Sequence, residues 1–237
     1  FSAKAPSQTL TEVAGRAGLS RAGARRILLT LEALGYVRSD GKLFSLSPRI
    51  LDLGFSYLSS MPIWNLAEPV MEALVAQVHE SSSAAVLDGT DIVYVLRVPT
   101  RKIMSISLGV GSRLPAYCTS MGRILLSALA QDDLMALLRA SDLAARTKTT
   151  LTDAKEIAAK VAQARRQGWS LVNQELEEGL ISLAAPIVDR SGQMVAALNI
   201  SGQANRTSAR VMQDTMLEPL LEAARTISRQ LDGTTVA

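Results

Sequence analysis

The stretch Thr9–Leu46, TLTEVAGRAGLSRAGARRILLTLEALGYVRSDGKLFSL, settles how the first quarter of the chain is read. Thr9-Leu10-Thr11-Glu12 has the spacing of a capping box and predicts a short helix to about Ala17, ended by Gly18. Ser20 then caps a second helix, in which Ala24, Ile27, Leu28, Leu31 and Leu34 form one apolar stripe closed by Gly35. Opposite that stripe, Arg21, Ala22, Arg25 and Arg26 cluster over the first two turns. Beyond it, Tyr36-Val37-Arg38 and Leu43–Leu46 flank Ser39-Asp40-Gly41-Lys42, where Asp-Gly predicts a two-residue hairpin turn. Helix, turn, helix and hairpin make a winged helix. Its second helix carries arginines able to bond guanine edges and phosphates, and its wing carries Arg38 and Lys42 toward phosphate or the minor groove. Ser20, Arg21, Ala22, Arg25, Arg26, Arg38 and Lys42 are therefore the candidate DNA contacts. A winged helix also needs a helix ahead of these two, so the domain's first helix is expected upstream of Phe1.

Composition agrees with a two-part protein. The 237 residues are 48% hydrophobic and 20% charged, enough to bury a core in one large domain or two modest ones. The net charge of +3 is unevenly spread: residues 1–60 hold eight Lys and Arg against four Asp and Glu, and the remainder is nearly neutral. A small basic head on a neutral body points to a polyanionic partner for the head. One cysteine (Cys118) and one histidine (His79) exclude disulfides within the chain and zinc sites built on Cys and His, and they leave a nucleophilic dyad a single possible base. No apolar run approaches the ~20 residues of a membrane span. No cofactor, metal ion or membrane contact is expected, and the protein is expected in the cytoplasm.

After the wing, Ser47-Pro48 starts a helix to about Ser60, with Ile50, Leu51, Gly54, Tyr57 and Leu58 as an apolar stripe too short to stand alone; it must pack on a neighbour or on a second copy of itself. Residues 1–47 are thus assigned to the DNA-binding domain, 48–61 to a linker helix with its boundary at Met61-Pro62, and 62–237 to a second domain. In that domain a helix is predicted from Pro69 to Glu80. Strands are predicted around 84–87, at 92–98 and at 103–108, with Asp88-Gly89 turning the first into the second. Helices at about 120–129 and 154–167 follow, then strands near 169–173, 183–188 and 194–201, then a long last helix that Pro219 should kink or restart. This is an α+β fold around a largely antiparallel sheet.

The segment Arg113–Arg123 leads a loop into a helix start, where a Thr119 or Ser120 cap, exposed backbone N–H groups and the arginines suit a carboxylate, and Gly122 permits close approach. Asn199 and Ser201 alternate onto one sheet face. Cys118 reads as a small buried hydrophobe, His79 as a solvated or helix-capping residue, and Glu175, Glu177 and Glu178 as solvated or loop-ordering charges.

With these residues in view, the chain resembles the IclR family of bacterial transcriptional regulators. The likeness rests on the stretch from Thr9 through SPRILDLG, on YCTSMGRILLSAL at 117–129, on QGWSLVNQELEEGLISLAAPI at 167–187 and on AALNISG at 196–202. Gly23 departs from the larger residue usual there and should weaken the second helix by about 0.5–1 kcal/mol relative to Ala. The resemblance implies a GAF-like effector domain behind the linker helix, with Ser120, Met121, Asn173, Ser182, Asn199 and Ser201 around a small organic acid, and a homodimer or tetramer on operator DNA. The YCTSMGR form of the loop resembles the subgroup serving aromatic-acid catabolism through the β-ketoadipate pathway, so a hydroxybenzoate, protocatechuate or β-ketoadipate-like effector is expected. The rival reading is an enzyme acting on a small organic acid, with the basic head as an accessory.

Overall fold

A computed structural model describes residues 1–2, 4–60, 63–100 and 108–233. The chain divides into two compact units, Phe1–Pro62 and Ile63–Ala237.

The first unit runs β1 (Ser7–Thr9), α1 (Leu10–Ala17), α2 (Arg21–Ala33), β2 (Val37–Ser39), β3 (Leu43–Leu46) and α3 (Ile50–Ser59). The capping box is formed: Thr9 Oγ1 accepts from the Glu12 N–H at 3.3 Å and the Glu12 carboxylate accepts from the Thr9 N–H at 2.7 Å. These bonds hold the Glu12 carboxyl below the usual carboxylate range. Ser20 caps α2 through the Gly23 N–H at 3.1 Å. Gly35, at φ 81°, ends α2 with paired bonds from Gly35 N to Glu32 O and from Tyr36 N to Leu31 O, so the chain reverses directly into β2.

The wing is a three-stranded antiparallel sheet in the order β1-β3-β2. Strand β1 has no alternating apolar pattern in the sequence; it forms because the three residues ahead of α1 lie against β3. The hairpin turn sits one residue later than expected, on Gly41-Lys42, because the Asp40 carboxylate gathers the Lys42 and Leu43 N–H groups at 2.9 and 2.7 Å. The stripe of α2 is also narrower than expected: Ala24 and Leu28 are buried with Ala14 and Val37, whereas Ile27 and Leu34 remain about half exposed. The five positions span a wider arc than α1 and the wing cover. Helix α3 starts at Ile50, after a turn in which the Ser47 hydroxyl accepts from the Arg49 N–H and donates to the Gly35 carbonyl, tying the end of α2 to the start of α3.

The second unit runs α4 (Ile63–Val78), β4 (Ser81–Asp88), β5 (Asp91–Val98), β6 (Arg113–Pro115), α5 (Ser120–Leu126), α6 (Gln131–Ala140), α7 (Ala154–Gln167), β7 (Ser170–Asn173), β8 (Leu180–Val188), β9 (Met194–Gln203) and α8 (Ala209–Gly233). Its sheet has the order β6-β5-β4-β9-β8-β7, antiparallel throughout. Alternation sends Tyr94, Ala184 and Ala197 toward a core with α5, α6 and α7, while α4 and α8 pack on each other and on the sheet's other side. Both prolines depart from expectation. Helix α4 begins six residues before Pro69, because Ile63, Trp64 and Ala67 are buried and outweigh one lost backbone bond; α8 passes through Pro219 without a break. Helix α6 and strand β6 are additions to the predicted elements, and α5 stops at Leu126. The boundary at Met61-Pro62 and the strand at 103–108, but for Leu108, lie outside the described residues. Among the described residues no helix is long and apolar enough to cross a membrane.

Ser47 is buried and bonded at both ends of its hydroxyl, so Ser47→Ala should lower the stability of the first unit by about 1–3 kcal/mol, because the Gly35 carbonyl loses its partner. Urea denaturation measures it, and an unchanged midpoint would refute this role.

Candidate functional site

The basic surface is built by α2 and the wing. The Ser20 cap fixes where α2 starts, and this places Arg21, Ala22, Arg25 and Arg26 on its outer side; all four are exposed, as are Ser20, Arg38 and Lys42. Among the described residues no ion pair engages the four arginines or Lys42, so their charge is available to a polyanion. A Cβ on Gly23 would stand 3.2 Å from the Ser20 hydroxyl oxygen, so the glycine also leaves room for the cap.

In the second unit, helix α5 is buried along its whole length. Gly122 makes this possible, because a Cβ there would lie 2.1 Å from the Ala116 carbonyl oxygen. Thr119 caps the helix, accepting from the Gly122 N–H at 3.2 Å and donating to the Pro115 carbonyl at 3.1 Å. Between the start of α5 and the sheet lies a cavity of about 20 Å³. Ser120 and Met121 line it from the helix, Ser182, Asn199 and Ser201 from β8 and β9, and Tyr94 from β5. Ser182 and Ser201 are register partners on adjacent strands, and the Asn199 Oδ1 accepts from the Ser83 N–H at 3.0 Å, which leaves the Asn199 NH₂ as its donor. Burial pushes the Tyr94 phenol up to about 12, so it stays a neutral hydrogen-bond donor.

Five of the six expected effector residues therefore come together. Asn173 does not: it is exposed on β7 and lines a separate groove, while its neighbour Val172 takes the inward position. Pairing of β7 with β8 fixes which of the two turns inward. Tyr94, Leu108, Val172, Leu176 and Leu180 line the cavity without having been singled out, and Thr119, expected as a helix cap, lines it as well; the alternation of Ile92 and Tyr94 along β5 was the available signal for Tyr94.

The charges expected to meet a carboxylate are already committed. Arg113 is exposed and paired with Asp88 at 2.6 Å and Asp91 at 3.2 Å, which raises its pKa. Arg123 is fully buried and paired with Glu175 at 2.6 Å, so Glu175 is a buried ion-pair partner and not a solvated charge. Cys118 is buried, and desolvation pushes its thiol up to about 11. His79 is exposed at φ 57° just past α4, its N–H bonded to the Val75 carbonyl. Among the described residues no three His, Cys, Asp or Glu side chains are grouped to hold a metal ion.

Residues 55–229 match the family Bacterial transcriptional regulator IclR C-terminal, and residues 1–41 match the IclR helix-turn-helix domain. The Pca regulon regulatory protein of Pseudomonas putida is 46% identical over 226 residues, covering 95% of this chain and 78% of the relative. The p-hydroxybenzoate hydroxylase transcriptional activator of Acinetobacter baylyi is 36% identical, covering 90% and 80%. Among solved structures, a putative transcriptional regulator from Rhodococcus sp. RHA1 superposes with a TM-score of 0.82 at 46% identity, over 98% of this chain and 93% of that one. A double mutant of the PobR inducer-binding domain from Acinetobacter, in complex with 3-hydroxybenzoic acid, superposes with a TM-score of 0.65 at 28% identity, over 73% of this chain and 100% of that one.

Two outcomes follow from the geometry. Gly122→Ala should destabilise the second unit by at least about 1–3 kcal/mol in urea, because the contact it creates is with backbone that cannot rotate away. Cys118, buried and with its thiol pushed up to about 11, should react with iodoacetamide at pH 8 about tenfold or more slower than an unperturbed thiol, since less of it is thiolate; labelling at the free-thiol rate would contradict this.

Proposed function

Because the chain belongs to the IclR family of bacterial transcriptional regulators, we propose that its basic head reads an operator and that the cavity beneath α5 receives an aromatic acid of the hydroxybenzoate class, which changes operator affinity. The protein is a DNA-binding regulator and not an enzyme. The observation that carries the effector reading is the convergence of Ser120, Ser182, Asn199, Ser201 and the neutral Tyr94 phenol on one space whose remaining lining, Thr119 apart, is apolar. Hydroxyl and amide donors can hold a carboxylate, and Met121, Val172, Leu176 and Leu180 offer apolar contact to a ring. Asn173, exposed and outside that space, is not among the proposed contacts. The relative named p-hydroxybenzoate hydroxylase transcriptional activator and the PobR domain in complex with 3-hydroxybenzoic acid support the ligand class.

The cavity as it stands has room for about one water, whereas holding a benzene-sized ring takes on the order of 150 Å³. Ligand binding must therefore widen it, and that change of state is what an effector needs in order to shift an equilibrium.

The functional species is proposed to be a cytoplasmic homodimer. Helix α3 has no buried residue, and Leu51 and Phe55, 69% and 73% exposed and one turn apart, need a partner; a second copy also supplies the second recognition helix for a palindromic operator.

Calorimetric titration with 3- and 4-hydroxybenzoate tests the cavity: Asn199→Ala should weaken binding about tenfold or more while leaving operator binding intact. Arg25→Ala and Arg26→Ala should each reduce affinity for a duplex selected from a random library and flatten its salt dependence by about one unit of slope, with acid binding unchanged. Loss of acid binding in the arginine variants would place the functions wrongly.

A further inference from the structure

We propose that the buried Arg123–Glu175 ion pair is a strut that positions one wall of the cavity and thereby sets how readily a ligand is admitted, an inference that rests on the effector reading above. Arg123 lies on α5, two residues after Met121 and three after Ser120; Glu175 directly precedes Leu176. One end of the pair is thus next in the chain to a cavity-lining residue, and the other stands two residues from one on the same helix. The Arg123 Nη2 donates to the Glu175 Oε2 at 2.6 Å, with side chains 3% and 10% exposed, so little water competes for the bond.

The neighbouring parts of the cavity cannot yield easily. Ser182, Asn199 and Ser201 sit on strands paired along their length, and α5 is pinned by the Gly122 contact. The loop between β7 and β8 is different. It is bracketed by left-handed backbone at Gln174 (φ 61°) and Gly179 (φ 83°), and it carries Leu176. Its first part is tied down by Thr147, Thr149 and Thr150, whose hydroxyls donate to the Gln174 and Glu175 carbonyls at 2.6–2.8 Å. Beyond those ties Glu175 Oε2 accepts from the Leu151 N–H at 3.5 Å and from Arg123, and the second of these bonds is the loop's polar link to α5. The pair holds a single charge-assisted bond, and the Arg123 Nε is buried without a partner among the described residues, so nothing braces the guanidinium in a second direction. A cavity of about 20 Å³ widens most easily where Leu176 moves away from α5, and that movement stretches the strut.

Removing one partner would strand a buried charge, so the decisive variant replaces both, Arg123→Met with Glu175→Leu, keeping volume while removing the bond. Parent and variant, each as the two-unit chain, are compared by amide exchange and by stopped-flow binding of 3-hydroxybenzoate. The amides of Gln174, Gly179 and Leu180 should exchange about tenfold faster in the variant while those of β9 keep their rates. The acid should associate about tenfold faster, with Glu175→Asp in between. Equal loop exchange in parent and variant overturns the strut whether or not any acid binds. Faster loop exchange with unchanged association overturns its control of admission. Failure of both proteins to bind any hydroxybenzoate, with the loop exchange altered as predicted, sinks the effector reading and leaves the strut standing.

Discussion

The second unit depends on one close approach, that of Gly122 to the backbone of Ala116. A hydrogen in place of a Cβ lets α5 bury all seven of its residues against the sheet, and a methyl there would stand 2.1 Å from a carbonyl oxygen. From this contact follow the Thr119 cap, the placement of Ser120 and Met121 over the sheet, and the burial of Arg123 on the next turn, which requires a partner as deep as Glu175. A buried guanidinium is tolerable only when paired and hydrogen-bonded, so the position of the β7–β8 loop is set by the same contact.

The first unit is held by end-to-end economy of polar groups more than by a large core. Among its described residues four apolar side chains are buried, and much of the definition comes from caps: Thr9 with Glu12, Ser20 with Gly23, the paired bonds closing α2 at Gly35, and Ser47 between that closure and α3. Such a frame leaves the outer side of α2 free to carry unpaired arginines, because its stability does not draw on them. Mutual repulsion of Arg21, Arg25 and Arg26 is a modest cost that a nucleic-acid partner would relieve.

The architecture was largely legible in the sequence wherever local chemistry and periodicity agreed. The capping box, the glycine stops and the alternating strands all appear near their expected places. What was hidden depended on contacts distant in sequence. Strand β1 exists because β3 pairs with it, α4 starts before Pro69 because Ile63 and Trp64 find a core, and Val172 rather than Asn173 turns inward because β8 fixes the register. Sequence spacing likewise could not tell that Glu175 is buried and Glu178 exposed, since the two sit in one polar run and differ only in which meets Arg123. At the cavity, the expectation rested on motif likeness for Ser120, Met121, Ser182, Asn199 and Ser201, while the apolar lining from the loop had no signature of its own.

In the proposed function the head and the cavity belong to one equilibrium, in which an acid and an operator each alter the other's binding. Linkage requires the effect to be reciprocal and equal in free energy. The most direct test is the dissociation constant of 3-hydroxybenzoate for the full chain, measured by calorimetry with and without a saturating selected operator duplex. A change of about fivefold or more is expected, matched by the same factor in operator affinity with and without the acid. Identical constants in the presence and absence of DNA would contradict it.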